Sequence, residues 1–234
     1  DQLPDEMETM TAPLALFHTG EAHVSTFGPL IARLAPEIPL VHHVRQDLLD
    51  AAQPRGLTPD IRRRAVRELL GLADAGAATV LCTCSTLGPA AETAADLSEV
   101  PILRVDRPMM EAALDRGPRI AVAACLASTI GPTRALLERV AADRGIRPEV
   151  SEILLAEAWP LFAAGDRAAY AAAIARGLDG AAPEVDAVIL AQASMAPAAE
   201  RCTLPVPVLS SPRLGAAAAI AAWRARQPGL GTLS

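Results

Sequence analysis

Leu81-Cys82-Thr83-Cys84-Ser85-Thr86 is answered later in the chain by Leu190-Ala191-Gln192-Ala193-Ser194-Met195, and this echo decides the fold. Each segment is followed within three residues by Pro-Ala-Ala-Glu, at 89–92 and at 197–200. A second pair precedes the first in the same order: Ser25-Thr26-Phe27-Gly28-Pro29-Leu30 and Ser128-Thr129-Ile130-Gly131-Pro132-Thr133. Ser25 to Ser85 spans 60 residues and Ser128 to Ser194 spans 66. Matched motifs in matched order, at similar spacing, indicate an internal duplication.

Around these motifs, short β-rich apolar runs alternate with longer helical patterns. Leu14–His18, Leu40–Val44, Thr79–Cys84 and Ile102–Val105 read as strands, and Arg119–Cys125, Val150–Leu155, Val185–Ala191 and Val206–Leu209 repeat the rhythm. Helices are expected between them, including Thr26–Leu34, Thr58–Ala75, Pro108–Leu114, Pro132–Asp143, Glu157–Leu178, Pro197–Arg201 and a closing Leu214–Arg226. Thr79–Cys84 shows no alternation of polarity, as a strand covered on both faces should not. The pattern predicts an α/β fold of two pseudo-symmetric domains, each a mostly parallel sheet with helices on both faces. The expected limits are 12–107 plus 208–234 for the first and 108–207 for the second. Ligands of such sheets bind outside the carboxyl ends of the strands, so a shared cleft between the two domains is the expected site.

Composition removes several chemistries. The 234 residues include 50 alanines and no lysine, so all 21 basic residues are arginine. A Schiff-base or pyridoxal phosphate enzyme, a Walker A loop and a protein kinase each need a lysine. An anionic substrate must be held by arginine, hydroxyls or backbone amides. A net charge of −6 argues against nucleic acid or an anionic membrane as partner, and a small carboxylate and a homo-oligomer remain open. Four cysteines in a chain this long are no disulfide scaffold, no secretory leader or membrane-length apolar run is visible, and the expected compartment is cytoplasmic. Cys82 and Cys84 form a C-x-C without a second pair, so no metal site is expected. Arg62, Arg63, Arg64 and Arg67 read as a solvated helix face, balanced by Asp60, Glu68 and Asp74.

Both repeated motifs fall where a strand gives way to a helix. There, Ser and Thr hydroxyls can cap, and free N–H groups can meet an anion. Cys84 occupies such a junction, where a thiolate is favoured; as a residue it fits a buried small hydrophobe equally well. His42 and His43 fall on opposite faces of their strand. Glu92 and Glu200, inside the matched helices, are expected at the solvent surface.

These residues together resemble the aspartate/glutamate/hydantoin racemase superfamily. Cys84-Ser85-Thr86 is similar to the family's Cys-Asn-Thr, and Gln192-Ala193-Ser194 stands where the family has Gly-Cys-Thr. Leu16-Phe17-His18-Thr19, Asp106-Arg107-Pro108-Met109 and Ser128-Thr129 with Pro132-Thr133 extend the likeness over nearly the whole chain after about Thr11. The resemblance implies cofactor-independent chemistry at the carbon α to a carboxylate, in a site between two α/β domains, with Cys84 as acid/base thiol. It places Ala193 where the second catalytic cysteine belongs. Cys125, where relatives tend to carry threonine, is the one thiol that could stand in, and His18 is a further candidate acid or donor. Thr19, Ser85, Thr86, Thr129, Gln192, Ala193 and Ser194 are implied as the substrate-binding set. With one cysteine of the pair missing, three outcomes stay open: a racemase or isomerase, a single-cysteine decarboxylase or lyase of a malonate-type acid, and a carboxylate-binding homologue without catalysis.

Overall fold

The computed structural model describes residues 11–181 and 184–227, in two compact units. The first comprises residues up to Arg104 together with those from Ala219 onward, and the second is Val105–Ala218. In the first unit β1 (Leu14–His18), α1 (Glu21–Leu34), β2 (Leu40–Val44), α2 (Gln46–Ala52), α3 (Pro59–Asp74), β3 (Thr79–Cys82), α4 (Gly88–Ala95) and β4 (Ile102–Arg104) follow one another. The second unit holds α5 (Arg107–Leu114), β5 (Arg119–Ala124), α6 (Ala127–Asp143), β6 (Glu149–Leu154), α7 (Trp159–Ala163), α8 (Arg167–Ala181), β7 (Ala187–Leu190), α9 (Ala196–Ala199) and β8 (Val208–Ser210). The last helix, α10 (Ser211–Ala225), begins in the second unit and ends in the first.

Each unit contains one four-stranded parallel sheet, with strand orders β2-β1-β3-β4 and β6-β5-β7-β8. The central strands are β-rich apolar runs without alternation because helices cover both faces: every residue of β1, β3 and β7 is buried. The edge strands β2 and β6 are more open and carry the exposed Val41 and Leu154. Alanine explains how helices lie so close to the sheet. Ala90, Ala91 and Ala94 of α4 and Ala65 of α3 are fully buried, and small side chains let backbones approach without leaving voids.

Three expectations shift. The strand Val208–Ser210 had been expected in the first domain, but it pairs with β7 through Val188↔Val208 and Leu190↔Ser210, so the crossing point falls later, inside α10. The expected limits 12–107 plus 208–234 and 108–207 therefore move to 104/105 and 218/219, with residues 228–234 outside the described residues. The part of α10 in the first unit is anchored by Trp223, which is buried and donates its indole N–H to Ala12 O at 2.7 Å. Helices α1 and α6 begin earlier than the expected Thr26 and Pro132. Their hydrogen bonding starts with His23 N–H to Gly20 O at 3.1 Å and Thr129 N–H to Leu126 O at 3.1 Å, so each proline lies inside its helix. Finally, α2 was not anticipated, since Gln46–Ala52 is short and follows a strand directly.

Close packing at one glycine gives a direct test. A Cβ on Gly215 of α10 would lie 2.6 Å from Val105 O and from Val105 Cγ2, and a backbone carbonyl cannot step aside. Gly71 of α3 has nothing within 4 Å of such a Cβ. Gly215→Ala should destabilise by about 1–3 kcal/mol through overpacking. Gly71→Ala should be neutral or stabilise by up to about 1 kcal/mol from helix propensity. Urea unfolding of the two variants side by side measures the contrast; equal midpoints would overturn it.

Candidate functional site

Strand order fixes where each sheet can bind a ligand. In the first unit the chain leaves β1 to one side for β2, then returns to the other side of β1 for β3. The loops after β1 and β3 thus diverge, and the opening between them at the carboxyl ends is the switch point of an open parallel sheet. The pairing Phe17↔Cys82 places His18 and Thr19 beside Thr83 and Cys84 at that opening, and Thr83 N–H continues the ladder to Phe17 O at 3.0 Å. A 3₁₀ turn, Ser85–Leu87, starts directly after Cys84 and runs into α4. The N–H groups of Ser85 and Thr86 open this turn, where no preceding turn supplies an acceptor.

Cys84 is 5% exposed and Cys82 is fully buried, so only Cys84 touches the surface at all. Cys82 turns its thiol to Cys84 O at 3.5 Å. Thr19 is 1% exposed, and its hydroxyl has no hydrogen-bond partner. An unpaired buried hydroxyl is costly, so it calls for a partner, a water, an ion or a ligand group.

Behind Thr19 and Cys84 lies a polar cluster built from four side chains. His18 Nδ1 is 2.8 Å from Thr83 Oγ1, and His18 Nε2 is 2.9 Å from His42 Nδ1. The His18 and His42 rings lie within 17° of coplanar, as an in-plane hydrogen bond requires. Thr83 Oγ1 also contacts Phe17 O at 3.2 Å and His23 Nδ1 at 3.4 Å. Burial, with His42 and His23 close by, lowers the His18 pKa to about 3, so His18 is neutral at physiological pH and cannot serve as an imidazolium acid. Burial also lowers the pKa of His23. His43 faces the other side of β2, as alternation requires, and meets Glu68 at 2.8 Å.

At the corresponding end of the second sheet the groups are different. Gln192 Oε1 accepts from Cys125 N–H at 2.7 Å and Leu126 N–H at 3.3 Å, filling the amides ahead of α6 with an uncharged oxygen. The Thr129 hydroxyl donates to Leu126 O at 2.8 Å, so it ties the helix to a carbonyl and does not cap an N–H. Ser194 Oγ lies 3.2 Å from the buried Tyr170 hydroxyl. Cys125 is 1% exposed in the apolar core of this unit, in the same cluster as Tyr170. Burial pushes its thiol up, which keeps it protonated and unsuited to act as a base. Glu200 is exposed, as expected, whereas Glu92 is half-buried and pairs with the buried Arg104 at 2.9 Å.

The sequence profile described as Asp/Glu/Hydantoin racemase matches residues 26–219. The chain belongs to this racemase family. Solved structures with the same fold include glutamate racemase from Thermus thermophilus, at 24% identity and a TM-score of 0.65 over 96% of this chain and 84% of that one. An aspartate racemase homologue from Pyrococcus horikoshii aligns at 14% identity and a TM-score of 0.71, covering 90% of this chain and 98% of the other. Unliganded arylmalonate decarboxylase aligns at 19% identity and a TM-score of 0.57, covering 95% and 99%. No curated sequence matches the chain.

Within this racemase family member, the two halves correspond in a different register from the one their motifs suggest. Cys84 immediately precedes the 3₁₀ turn Ser85–Leu87, and Gln192 immediately precedes Ala193–Met195. Both have extended backbones, and Leu87 and Met195, which close the two turns, are both fully buried. Gln192, not Ala193, therefore holds in the second unit the place that Cys84 holds in the first. Matching Ser85 to Ser194 shifts the comparison by one residue. The Ser-Thr-x-Gly-Pro motifs are also offset: Ser25 is the fifth residue of α1, and Ser128 is the second of α6. Ser25 and Thr26 donate back to Glu21 O and Ala22 O and do not cap the helix. Sequence reasoning passed over Thr83, His23 and Tyr170. Thr83 carried a signal, as the one polar residue between two cysteines at the end of a buried strand.

Two outcomes follow. A neutral His18 favours the folded state fully above about pH 6.5, where the unfolded imidazole is also neutral. As pH falls from 6.5 toward 3 the unfolded chain takes up a proton that the folded chain refuses, so stability drops across that window. Melting temperatures measured from pH 7 to pH 4 should fall less steeply in His18→Gln than in the parent, and parallel slopes would refute this. In the second unit, Gln192→Leu leaves Cys125 and Leu126 N–H without their acceptor and should cost about 1–3 kcal/mol. Gln192→Glu keeps an accepting oxygen and should stay close to the parent in urea unfolding.

Proposed function

We propose that this racemase family member is a cofactor-independent enzyme acting at the carbon α to the carboxylate of a small acid, with Cys84 as the acid/base thiol. The supporting observation is that Cys84 and an unsatisfied, buried Thr19 hydroxyl both follow directly on the paired strand ends at the switch point of the first sheet. Cys84, as its thiolate, takes the α-proton and becomes a thiol; the electron pair moves into the carboxylate to give a dianionic enediolate; return of the proton to carbon restores both. That charge needs fixed donors, since their dipoles need no rearrangement as the charge develops. Thr19, the hydroxyls of Ser85 and Thr86, and the N–H groups opening the 3₁₀ turn are the donors offered by this edge. Since the chain has no lysine, any cationic hold on the substrate's charge falls to arginine.

Gln192 favours a second reading. A carboxamide cannot cycle a proton near neutral pH, so the place matching Cys84 supplies no second thiol, and Cys125 is held protonated in a core. Chemistry needing one thiol, such as decarboxylation of a malonate-type acid with Cys84 protonating the enediolate, fits that arrangement.

Incubating the protein with candidate amino, hydroxy and malonate-type acids in D₂O tests both readings. Deuterium entering the α-position supports proton abstraction, and release of carbon dioxide supports the second reading. Cys84→Ser should lower either rate by about 10²–10⁴-fold, the usual worth of a positioned acid/base group. Turnover unchanged in Cys84→Ser would remove Cys84 from the mechanism. Carboxylate binding with neither reaction would identify a binding protein.

A further inference from the structure

The cluster behind Cys84 has only one arrangement of hydrogens that satisfies all its contacts. Thr83 Oγ1 has a single hydrogen and two lone pairs. Its three neighbours are Phe17 O, His18 Nδ1 and His23 Nδ1. Phe17 O can only accept, so the Thr83 hydrogen goes to it. Both lone pairs must then receive N–H groups, which makes His18 and His23 donors through Nδ1. A neutral imidazole carries one N–H, so His18 Nε2 is left as an acceptor and takes the Nδ1–H of His42 across 2.9 Å. Lowered pKa values keep His18 and His23 neutral and remove the alternative in which both ring nitrogens are protonated. Any other arrangement leaves at least one of the four contacts without a hydrogen.

The consequence lies at the outer ends of the network. His23 stands in the first turn of α1, half-buried, and its Nε2 is a bare lone pair. It lies one imidazole width from Thr83, the residue immediately before Cys84, and four residues beyond the unsatisfied Thr19. We propose that Thr83 locks His23 as an acceptor, and that His23 Nε2 receives a hydrogen bond from an ammonium or hydroxyl group on the α-carbon of the substrate. This rests on the reading of the Cys84 edge as the active site and narrows its substrate class. An α-amino or α-hydroxy acid brings a donor to that lone pair. A malonate-type acid brings a second carboxylate, which has only acceptors and is repelled. His23 is thus a specificity-determining residue, and Thr83 and His18 are positioning residues that fix its tautomer.

Long-range ¹H–¹⁵N spectra of the ¹⁵N-labelled protein at neutral pH read the tautomers directly. The expected result is Nδ1–H with an unprotonated Nε2 for His18 and His23, and a hydrogen on His42 Nδ1. Nε2–H on His23 would overturn the proposal. Adding aspartate or lactate at millimolar concentration should shift the His23 Nε2 resonance, and malonate should not; a larger shift with malonate would also overturn it. In the α-deuterium exchange assay, His23→Ala should raise KM for an α-amino or α-hydroxy acid about 10–100-fold with a smaller change in kcat, as expected for loss of a charge-assisted hydrogen bond. His23→Gln, whose side-chain oxygen can stand in for Nε2, should recover much of that loss. The two failures are distinguishable. Exchange that survives Cys84→Ser defeats the active-site reading, whereas exchange that depends on Cys84 but is unaffected in His23→Ala defeats only the role of His23.

Discussion

The parallel pairing of β1 with β3 is the constraint on which the first unit depends. Both strands are covered on both faces, so their backbone groups must be satisfied by each other, and the register Phe17↔Cys82 is the one that does so. That register determines that the last residue of β1, His18, lies next to Thr83, one step past the end of β3. A slip of one residue would exchange the faces of every side chain beyond it and pull His18 away from Thr83. The thiol, the unpaired hydroxyl and the histidine cluster are therefore fixed by hydrogen bonds made in the middle of the sheet. The polar groups sit at the sheet's end because the interior has no room for them. Alanines and aliphatic residues fill most of the space between sheet and helices, and the thiol of Cys84 and the hydroxyls of Thr19 and Thr83 stand where β1 and β3 stop.

The same physics operates in the second unit with other residues, and the difference is chemical. A thiol and hydroxyls stand at the end of the first sheet. At the end of the second, a carboxamide oxygen has been drawn onto two backbone amides, and a thiol has been withdrawn into a core beside a phenol. An amide oxygen neutralises those N–H groups without bringing charge, which is what a helix start needs when no anion is to be bound there. The duplicated fold thus carries a thiol and hydroxyls at one sheet end and a backbone-bound carboxamide at the other.

Most of the architecture was legible in the sequence because it follows from periodicity. Unalternating β-rich runs such as Thr79–Cys84 mark strands covered on both faces, and their alternation with helical stretches permits little other than parallel sheets. The repeated motifs showed the duplication, yet they misplaced Gln192 by one residue. Serine is common at turns, and aligning Ser85 with Ser194 maximised identity at the cost of geometry; only the strand registers and the 3₁₀ turns reveal the true match. Helix starts were misplaced for a related reason. Proline is favoured in first turns, so Pro132 suggested a beginning where α6 was already under way, and Thr26 likewise falls inside α1. The histidine cluster was illegible because His18, His23, His42 and Thr83 come from four separate elements, and contacts of that kind exist only once the sheet order is known. His18 could be named as a candidate, but its permanent neutrality depends on burial that no local pattern encodes.

The helix α10 starts in one unit and finishes in the other, with Trp223 closing the first unit against Ala12. The two structural halves are consequently not the two halves of the chain. A single cut between Arg104 and Val105 would yield an amino-terminal piece lacking the tryptophan that seals its own core, and a carboxyl-terminal piece bearing an apolar helical end that belongs elsewhere. The residues that complete the first unit are thus supplied from the far side of the second in the sequence.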